Sequence, residues 1–162
     1  MVTSVVGEGT TFSIFLPRAS ETEVEQDIVQ SATDETPRDL TGTARILLVE
    51  DEDAVRTFSS RALTNKGYQI LAAESGEAAL NVMGAQENKH IDLMITDVIM
   101  PNMDGPTLAQ RMRQDNPKLK IIFISGYTEE KLKDHMGENI WFLPKPFTLK
   151  QLAEKVKEAL EG

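Results

Sequence analysis

Short apolar runs alternate with longer amphipathic stretches over the last two thirds of the chain. Five of these runs hold four to six residues each and are rich in β-branched, aromatic and other apolar side chains. Runs of this length between turn-forming residues are typical of buried strands. The pattern therefore predicts strands over residues 46–49, 68–73, 93–96, 119–124 and 140–143.

The stretches that follow these runs place apolar residues at helical spacing. The first predicted helix is capped by Asp53 and runs to about Asn65, with Gly67 as its stop. Pro106 suits the first turn of the third helix, and Thr148 caps the last one. The remaining helices are predicted over residues 77–83 and 128–136.

This alternation predicts an α/β domain of (βα)5 type. Continuous apolar strands joined by helical crossovers form a parallel sheet that is covered on both faces. Five strands cannot readily close an eight-stranded barrel, so we expect an open, doubly wound, flavodoxin-like sheet with strand order 2-1-3-4-5. Ligands of such sheets bind outside the carboxyl ends of the strands, near the switch point between strands 1 and 3.

The first 44 residues are organised differently. Residues 2–17 predict two short strands joined at Gly7-Glu8-Gly9; because a lone hairpin is marginal in water, it should belong to a neighbouring domain. A chance pair of strands is the alternative. Residues 18–44 hold seven acidic and two basic residues with few apolar ones, which is typical of a flexible linker, or of an acidic segment that docks on a basic partner. We therefore divide the chain into a domain remnant, 1–17, a linker, 18–44, and a globular domain, 45–162.

Composition excludes several classes of protein. The net charge of -9 and the isoelectric point of about 4.7 argue against direct nucleic-acid binding, which needs a basic face. The absence of cysteine from the sequence excludes disulfides and thiolate metal sites. No apolar run approaches the roughly 18 residues that cross a bilayer, and the first residues lack the pattern of a signal peptide. We expect a cytoplasmic chain that does not enter the membrane.

Polar side chains collect where four of the predicted strands end. Glu50 and Asp51 follow strand 1, Asp97 follows strand 3, Ser125 follows strand 4, and strand 5 runs into Lys145. Each alone has an ordinary explanation, such as an Asp that begins a turn, a solvated acid pair or a surface lysine. Because parallel strands share one carboxyl edge, all five side chains are expected to converge.

Converging carboxylates require a counter-charge. Two of them about 4 Å apart repel by about 4 kcal/mol at an effective dielectric of about 20, so the cluster needs a cation. Oxygen ligands without cysteine or a suitable histidine indicate magnesium, Mg²⁺, which also binds phosphate oxygens. Lys145 and Ser125 could contact two further phosphate oxygens. Asp97 is then the candidate nucleophile, which would form an aspartyl phosphate.

Four motifs, LLVEDE, ITDVIMPNMDG, FISGY and LPKPF, carry a family resemblance. Residues 45–160 resemble the receiver domain of bacterial response regulators, the phosphoacceptor domains of two-component systems. The resemblance implies that Asp97 is the phosphoacceptor, that Ser125 is the switch hydroxyl and that Lys145 binds the phosphate. It also implies a cis peptide bond between Lys145 and Pro146.

The same resemblance implies how the metal is held. Asp51 and Asp97 would bind Mg²⁺ directly, the main-chain carbonyl of Ile99 would complete the protein ligands, and Glu50 would act through water. A Mg²⁺-dependent phosphatase that passes through an aspartyl phosphate is a rival class. It would place a second Asp two residues after the nucleophile, where this chain has Ile99.

Some positions depart from the common receiver pattern. Phe142 occupies the aromatic switch position, where a tyrosine is frequent, so a relay through a tyrosine hydroxyl is not available. Ile99 and Tyr127 stand two residues beyond Asp97 and Ser125, and neither readily orients a hydrolytic water. We therefore predict slow self-dephosphorylation. A degenerate receiver, which regulates its kinase without phosphorylation, is the alternative; it would lack one of the five groups.

The N-terminal hairpin also resembles a known element. Residues 7–12, Gly-Glu-Gly-Thr-Thr-Phe, and Leu16-Pro17 match the last hairpin of the ATP-binding domain of histidine kinases. A hairpin, an acidic linker and a receiver form the C-terminal layout of a hybrid histidine kinase. The parent chain would then be a kinase, compatible with an inner-membrane anchor, while this fragment would catalyse only its own phosphotransfer.

The resemblance implies two phosphorelay partners, the histidine-bearing dimerisation domain of the parent kinase and a separate histidine phosphotransferase. Val55 and Phe58 on the first helix are the expected docking residues for a helical partner of this kind. The alternative is that both residues, Phe58 in particular, belong to the core. His90 and His135 are the two histidines of the chain, and we expect both to lie on the surface without donating phosphate.

Overall fold

The computed structural model describes residues 2–7, 9–12, 39–85, 90–126 and 137–162. The chain divides into two compact units, Met1–Arg38 and Asp39–Gly162. In the first unit, strands β1 (Val2–Val5) and β2 (Gly9–Phe12) form an antiparallel hairpin, as predicted. The continuation of the second predicted strand beyond Phe12 lies outside the described residues, as does the linker up to residue 38.

The second unit is built on a parallel five-stranded sheet. Its order, β4-β3-β5-β6-β7, is the predicted order 2-1-3-4-5 when the strands of this unit are counted alone. Every neighbouring pair in the sheet runs parallel. The fold prediction is thereby confirmed. The strands are β3 (Arg45–Val49), β4 (Gln69–Ala73), β5 (Leu93–Asp97), β6 (Lys120–Ser125) and β7 (Ile140–Pro144).

Four helices are described beside this sheet: α1 (Asp53–Thr64), α2 (Gly76–Ala85), α3 (Gly105–Asp115) and α4 (Leu149–Glu161). Thr148 caps α4 as predicted, in a reciprocal capping box with Gln151. The prediction that Asp53 caps α1 is wrong: Glu52 is the N-cap, without a side-chain capping bond, and Asp53 lies in the first turn. The helix predicted over 128–136 lies outside the described residues. No described helix has the length and hydropathy needed to cross a membrane.

Each face of the sheet carries its own apolar cluster. Met94 of β5 enters one cluster, while its neighbours Leu93 and Ile95 enter the other, because successive side chains of a strand point to opposite faces. Burial on both faces explains why the strands are continuously apolar. The helices supply Leu108 and Met112 to the first cluster and Leu152 and Val156 to the second.

Residues 39–44, which we call the strap, pack on the second unit. The Gly42 N–H donates to the Lys66 carbonyl at 3.0 Å, and the Tyr68 hydroxyl donates to the Leu40 carbonyl at 3.2 Å. A Cβ on Gly42 would overlap the Tyr68 ring, so glycine permits this close approach. The boundary between the two units therefore falls at residues 38–39, earlier than the domain start predicted at residue 45.

Candidate functional site

The carboxyl edge of the sheet brings together the five side chains that the sequence singles out. Asp97 is the last residue of β5 and Ser125 is the last residue of β6. Glu50 and Asp51 follow β3 directly, and Lys145 follows β7. Each position is set by the end of a buried strand, so the sheet itself fixes the spacing of the site.

Three carboxylates form a compact acidic cluster at this edge. One carboxylate oxygen from each of Glu50, Asp51 and Asp97 lies within 4.8 Å of the other two. Glu50 is 1% exposed and Asp97 is 9% exposed, whereas Asp51 faces solvent. Like charges this close and this poorly solvated are unfavourable unless a cation accompanies them.

Lys145 supplies one such cation. Its Nζ lies 2.5 Å from Asp97 Oδ2 and 3.3 Å from Glu50 Oε2. Burial acts to lower the pKa of Lys145, but the hydrogen bond to Asp97 and the negative charges of Glu50 and Asp97 outweigh it and raise that pKa. The ammonium group therefore stays protonated and ties the ends of β3, β5 and β7 together.

Glu50 is the most buried carboxylate of the cluster. Burial raises its pKa, and the negative charge of Asp97 adds to the shift. The N–H of Glu52, which donates to Glu50 Oε1 at 3.1 Å, and the charge of Lys145 oppose it. Glu50 is thus held at both oxygens, which leaves its neighbour Asp51 as the solvent-facing acid of the site.

The donor set fits a hard divalent cation. Its side-chain donors are carboxylate oxygens, the ligand type that Mg²⁺ prefers, and one of them faces solvent, where the metal could keep its waters. The turn after β5 is also fixed at the cluster, because the Ile99 N–H donates to Asp97 Oδ1 at 3.2 Å. The Ile99 side chain itself is 62% exposed.

Ser125 is buried beside the acidic cluster. Its main-chain carbonyl accepts a hydrogen bond from the Lys145 N–H at 3.0 Å, so the ends of β6 and β7 remain paired at the site. Asp97 pairs with Ile124 in the register of β5 and β6, which places Ser125 one residue beyond it. The peptide bond between Lys145 and Pro146 is cis, as the resemblance implies.

The Phe142 side chain packs into the apolar cluster on one face of the sheet and does not lie on the protein surface. The residue is buried, and its ring stacks on that of Phe123 with the centroids 5.9 Å apart. The side chain at the aromatic switch position is therefore an apolar part of the core, on β7 directly opposite Phe123 of β6.

An open apolar groove of about 610 Å³ adjoins Lys145. Phe58 of α1 lies in it with 54% of its surface exposed, so the alternative that Phe58 is a core residue is wrong. Val55 is half-buried in the same lining. The lining residues are Glu52, Ala54, Val55, Phe58, Lys145, Pro146 and Phe147.

The structure adds two residues that sequence reasoning missed. A Cβ on Gly105 would overlap the carbonyl oxygen of Asp97, so only glycine lets α3 begin this close to the site. The guanidinium of Arg56 contacts the main chain that carries the acid pair. The sequence carries a signal for each: Gly105 ends the motif ITDVIMPNMDG, and Arg56 lies one turn into the first helix, close to the acid pair.

The histidines do not approach the site as far as the structure describes them. His90 is exposed and its Nε2 lies 2.9 Å from Asp92 Oδ1, just before β5 and hence at the opposite edge of the sheet. The expected surface position of His90 is confirmed. His135 lies outside the described residues.

Comparison with known families identifies the class of domain that carries this site. The sequence model described as the response regulator receiver domain matches residues 46–157. The chain belongs to this family. This match confirms the resemblance found in the four motifs. Receiver domains serve two-component signal transduction.

Relatives of the receiver include whole sensor kinases. The chain is 47% identical to the sensor kinase CckA of Brucella abortus (strain 2308) over 163 residues, 98% of this chain and 17% of CckA. It is 34% identical over 147 residues to the sensor protein EvgS of Escherichia coli (strain K12), 88% of this chain and 12% of EvgS. The receiver protein CpdR of Brucella abortus (strain 2308) is 34% identical over 118 residues, 72% of this chain and 96% of CpdR. The chain thus spans only a small part of the kinases that it resembles.

Solved structures agree with the fold. The receiver domain of the hybrid histidine kinase CckA aligns with a TM-score of 0.62 and 46% identity, covering 72% of this chain and 98% of that one. A receiver protein from Sinorhizobium medicae WSM419 aligns with a TM-score of 0.66 and 28% identity, covering 74% and 96%. The receiver therefore resembles both the receiver of a hybrid kinase and a response regulator receiver protein.

Proposed function

We propose that this receiver takes a phosphoryl group from a phosphohistidine onto Asp97 and passes it between the histidine domain of its parent kinase and a histidine phosphotransferase. The observation that carries the proposal is the position of Asp97, which shares one sheet edge with two further carboxylates and lies 2.5 Å from the ammonium of Lys145. A nucleophile, a cation-binding cluster and a phosphate-binding cation are the parts that this chemistry needs.

The side chains divide the work by charge. Asp97 is the nucleophile: one of its oxygens forms the new bond to phosphorus while the electron pair of the P–N bond returns to the imidazole nitrogen. Lys145 would contact the negative phosphoryl oxygens on Asp97, because its ammonium group already bonds the Asp97 carboxylate and its raised pKa keeps it protonated. Bound Mg²⁺ would neutralise charge on the phosphoryl oxygens. Asp51, Asp97 and the Ile99 carbonyl would hold it, with Glu50 acting through water.

The new charge supplies the signal. An acyl phosphate on Asp97 carries about -1.5 to -2 charges in place of the single negative charge of the carboxylate, so a site whose acids are already crowded becomes more negative by up to about one charge. The Ser125 hydroxyl would donate to one of its oxygens, which would draw the end of β6 towards the phosphate. Phe142 offers only an apolar ring, so the response would be a change in packing between β6 and β7 and in the populations of their surface conformers.

The groove beside α1 suits the phosphohistidine donor. Phe58 is a large apolar side chain exposed beside Lys145, where the donor imidazole must approach. Exposed aromatic residues that border a site are frequent anchors of helical partners. We assign this groove to the helix that carries the donor histidine, in the parent kinase or in the phosphotransferase.

Two rival functions are disfavoured by specific residues. A degenerate receiver would lack part of the site, whereas Glu50, Asp51, Asp97, Ser125 and Lys145 are all present at one edge. A phosphatase would need an acid at position 99, where an exposed isoleucine stands.

The test is covalent labelling. The purified chain is incubated with Mg²⁺ and either acetyl phosphate or a phosphorylated histidine phosphotransferase, and its intact mass is measured. The wild-type chain should gain one phosphoryl group, and Asp97→Asn should gain none. Asp115→Asn, the same change at the far end of α3, should label as wild type does. An unlabelled wild-type chain with a competent donor would refute the proposal.

A further inference from the structure

Arg56 reaches from the first turns of α1 back to the strand that carries the acid pair. Its Nη1 donates to the main-chain carbonyl of Glu50 at 2.8 Å and lies 3.4 Å from that of Asp51. Its Nη2 bonds Asp53 Oδ1 at 2.6 Å. The side chain is only 16% exposed, so the guanidinium is a built part of the turn between β3 and α1.

These carbonyls belong to the residues at which the chain leaves the sheet. The Glu50 N–H still donates to the Ala73 carbonyl of β4, and α1 begins three residues later. The direction of each side chain in this turn depends on the orientation of the peptide planes between the two elements. Arg56 contacts the two consecutive carbonyls through Nη1, while Nη2 of the same rigid, planar guanidinium bonds Asp53, and a flexible ammonium does not reproduce this three-point arrangement.

The two acids differ in how their carboxylates are held. The Glu50 carboxylate is fixed by the Glu52 N–H and by Lys145. Within the ranges that the structure describes, the Asp51 carboxylate accepts no hydrogen bond and joins no ion pair. Its direction therefore follows from its own main chain, and that main chain is what Arg56 contacts.

We propose that Arg56 is a positioning residue for the metal site: by holding the carbonyls of Glu50 and Asp51, it aims the Asp51 carboxylate into the acidic cluster. The inference rests on the proposed function, because it concerns how that site binds Mg²⁺. Groups that orient metal ligands typically contribute 10- to 100-fold to metal affinity, so a loss of about tenfold is expected when the fork is removed.

If Arg56 acted only through its charge, its removal would change the Mg²⁺ affinity in the opposite direction. A positioning role and an electrostatic role can therefore be told apart. A guanidinium near a cation site repels the cation, so a purely electrostatic residue would weaken Mg²⁺ binding and its removal would tighten it. Arg56→Lys keeps the charge and removes the planar fork. Weaker binding by this variant therefore isolates the geometric contribution.

The experiment measures Mg²⁺ affinity by titrating the metal into isotope-labelled protein and following the amide NMR shifts of residues 50–52, at fixed ionic strength. Wild type, Arg56→Lys and Asp53→Asn are compared; Asp53→Asn breaks the surface ion pair but leaves the carbonyl contacts. Arg56→Lys should bind Mg²⁺ about tenfold more weakly. Asp53→Asn should stay within about twofold of wild type, as expected for an exposed pair.

Activity gives a second reading of the same variants. In labelling with acetyl phosphate, Arg56→Lys should need about tenfold more Mg²⁺ for half-maximal rate and reach the wild-type rate at saturation. A variant that unfolds earlier but binds Mg²⁺ as wild type does would show a merely structural role and overturn the inference. Failure of the wild-type protein to bind Mg²⁺ would instead refute the proposed function.

Discussion

Asp51 should destabilise the metal-free receiver and stabilise the metal-bound one. Its carboxylate oxygen lies within 4.8 Å of those of both Glu50 and Asp97, while Lys145 contacts only the latter two. The substitution Asp51→Asn removes the uncompensated charge and keeps the shape of the side chain. The sign of its effect on the free energy of unfolding should therefore depend on whether Mg²⁺ is present.

The magnitude follows from the spacing. Two unit charges about 4.8 Å apart repel by about 0.9 kcal/mol in a water-like dielectric and by about 3.5 kcal/mol at an effective dielectric of about 20. Asp51 faces solvent, so the lower value applies, and we expect Asp51→Asn to gain about 1 kcal/mol without metal. For a domain of this size, that gain corresponds to a rise of about 3–5 °C in Tm.

Thermal unfolding with a chelator and with excess Mg²⁺ tests this expectation. A metal at 100 times its Kd adds about 2.7 kcal/mol to the wild-type protein, and Asp51→Asn should lose most of that increment. Asp115→Asn, which changes the same side chain at an exposed position outside the acidic cluster, should respond to Mg²⁺ as wild type does. A lower Tm for Asp51→Asn in chelator, or an undiminished response to Mg²⁺, would refute the reasoning.

Four further outcomes are expected. Because burial raises the Glu50 pKa, the folded state binds the proton more tightly than the unfolded state, and the free energy of unfolding falls as pH rises through that pKa. In chelator at pH 7, Glu50→Gln should therefore be about 1 kcal/mol more stable than wild type. Urea titrations at lower pH should show this difference in stability between the two proteins becoming smaller. Phe58→Ala should slow phosphotransfer from a histidine phosphotransferase about tenfold, the effect of losing about 1.4 kcal/mol of contact, yet leave labelling by acetyl phosphate unchanged; equal slowing of both would contradict a docking role. Ser59 of α1 is 1% exposed and its hydroxyl has no partner among the described residues, so Ser59→Ala should raise the free energy of unfolding by up to about 1 kcal/mol, and a loss of stability would show an unrecognised bond. The acyl phosphate on Asp97 should persist for minutes or longer at room temperature, and its loss within seconds, followed by intact mass, would reject the role given to Ile99.

The strands and their ends could be predicted because two simple rules fix them. A strand buried on both faces must be apolar throughout, and parallel strands must end at the same edge. The convergence of Asp97 with Lys145, residues 48 positions apart, follows from those rules without any contact information. This is why the site was accessible from a single sequence.

Local competition was harder to predict. Asp53 is a good capping residue, but it pairs with Arg56 from inside the helix, and Glu52 takes the N-cap position. Spacing alone does not rank a capping bond against an ion pair one turn away, since each is worth only about 1 kcal/mol. For the same reason, the sequence alone does not predict that Arg56 contacts the main chain of Glu50 and Asp51.

Main-chain contacts leave little trace in composition. The strap, residues 39–44, lacks a periodic apolar pattern, so the sequence predicts it as part of the linker, yet it is held by bonds such as that from the Gly42 N–H to the Lys66 carbonyl. Phe58 illustrates the converse, because an aromatic residue at helical spacing is usually buried, and here it faces a groove. Exposure of this kind depends on what the neighbouring loops leave uncovered.

The most direct measurement is to identify the phosphorylated residue itself. After labelling with Mg²⁺ and a phosphohistidine donor, borohydride reduces an acyl phosphate to an alcohol, and peptide mass spectrometry locates the resulting homoserine. The account predicts homoserine at position 97 alone, in the wild-type chain and not in Lys145→Met labelled for the same short time. Reduction at another carboxylate, or a stable phosphate on a serine or histidine, would contradict it.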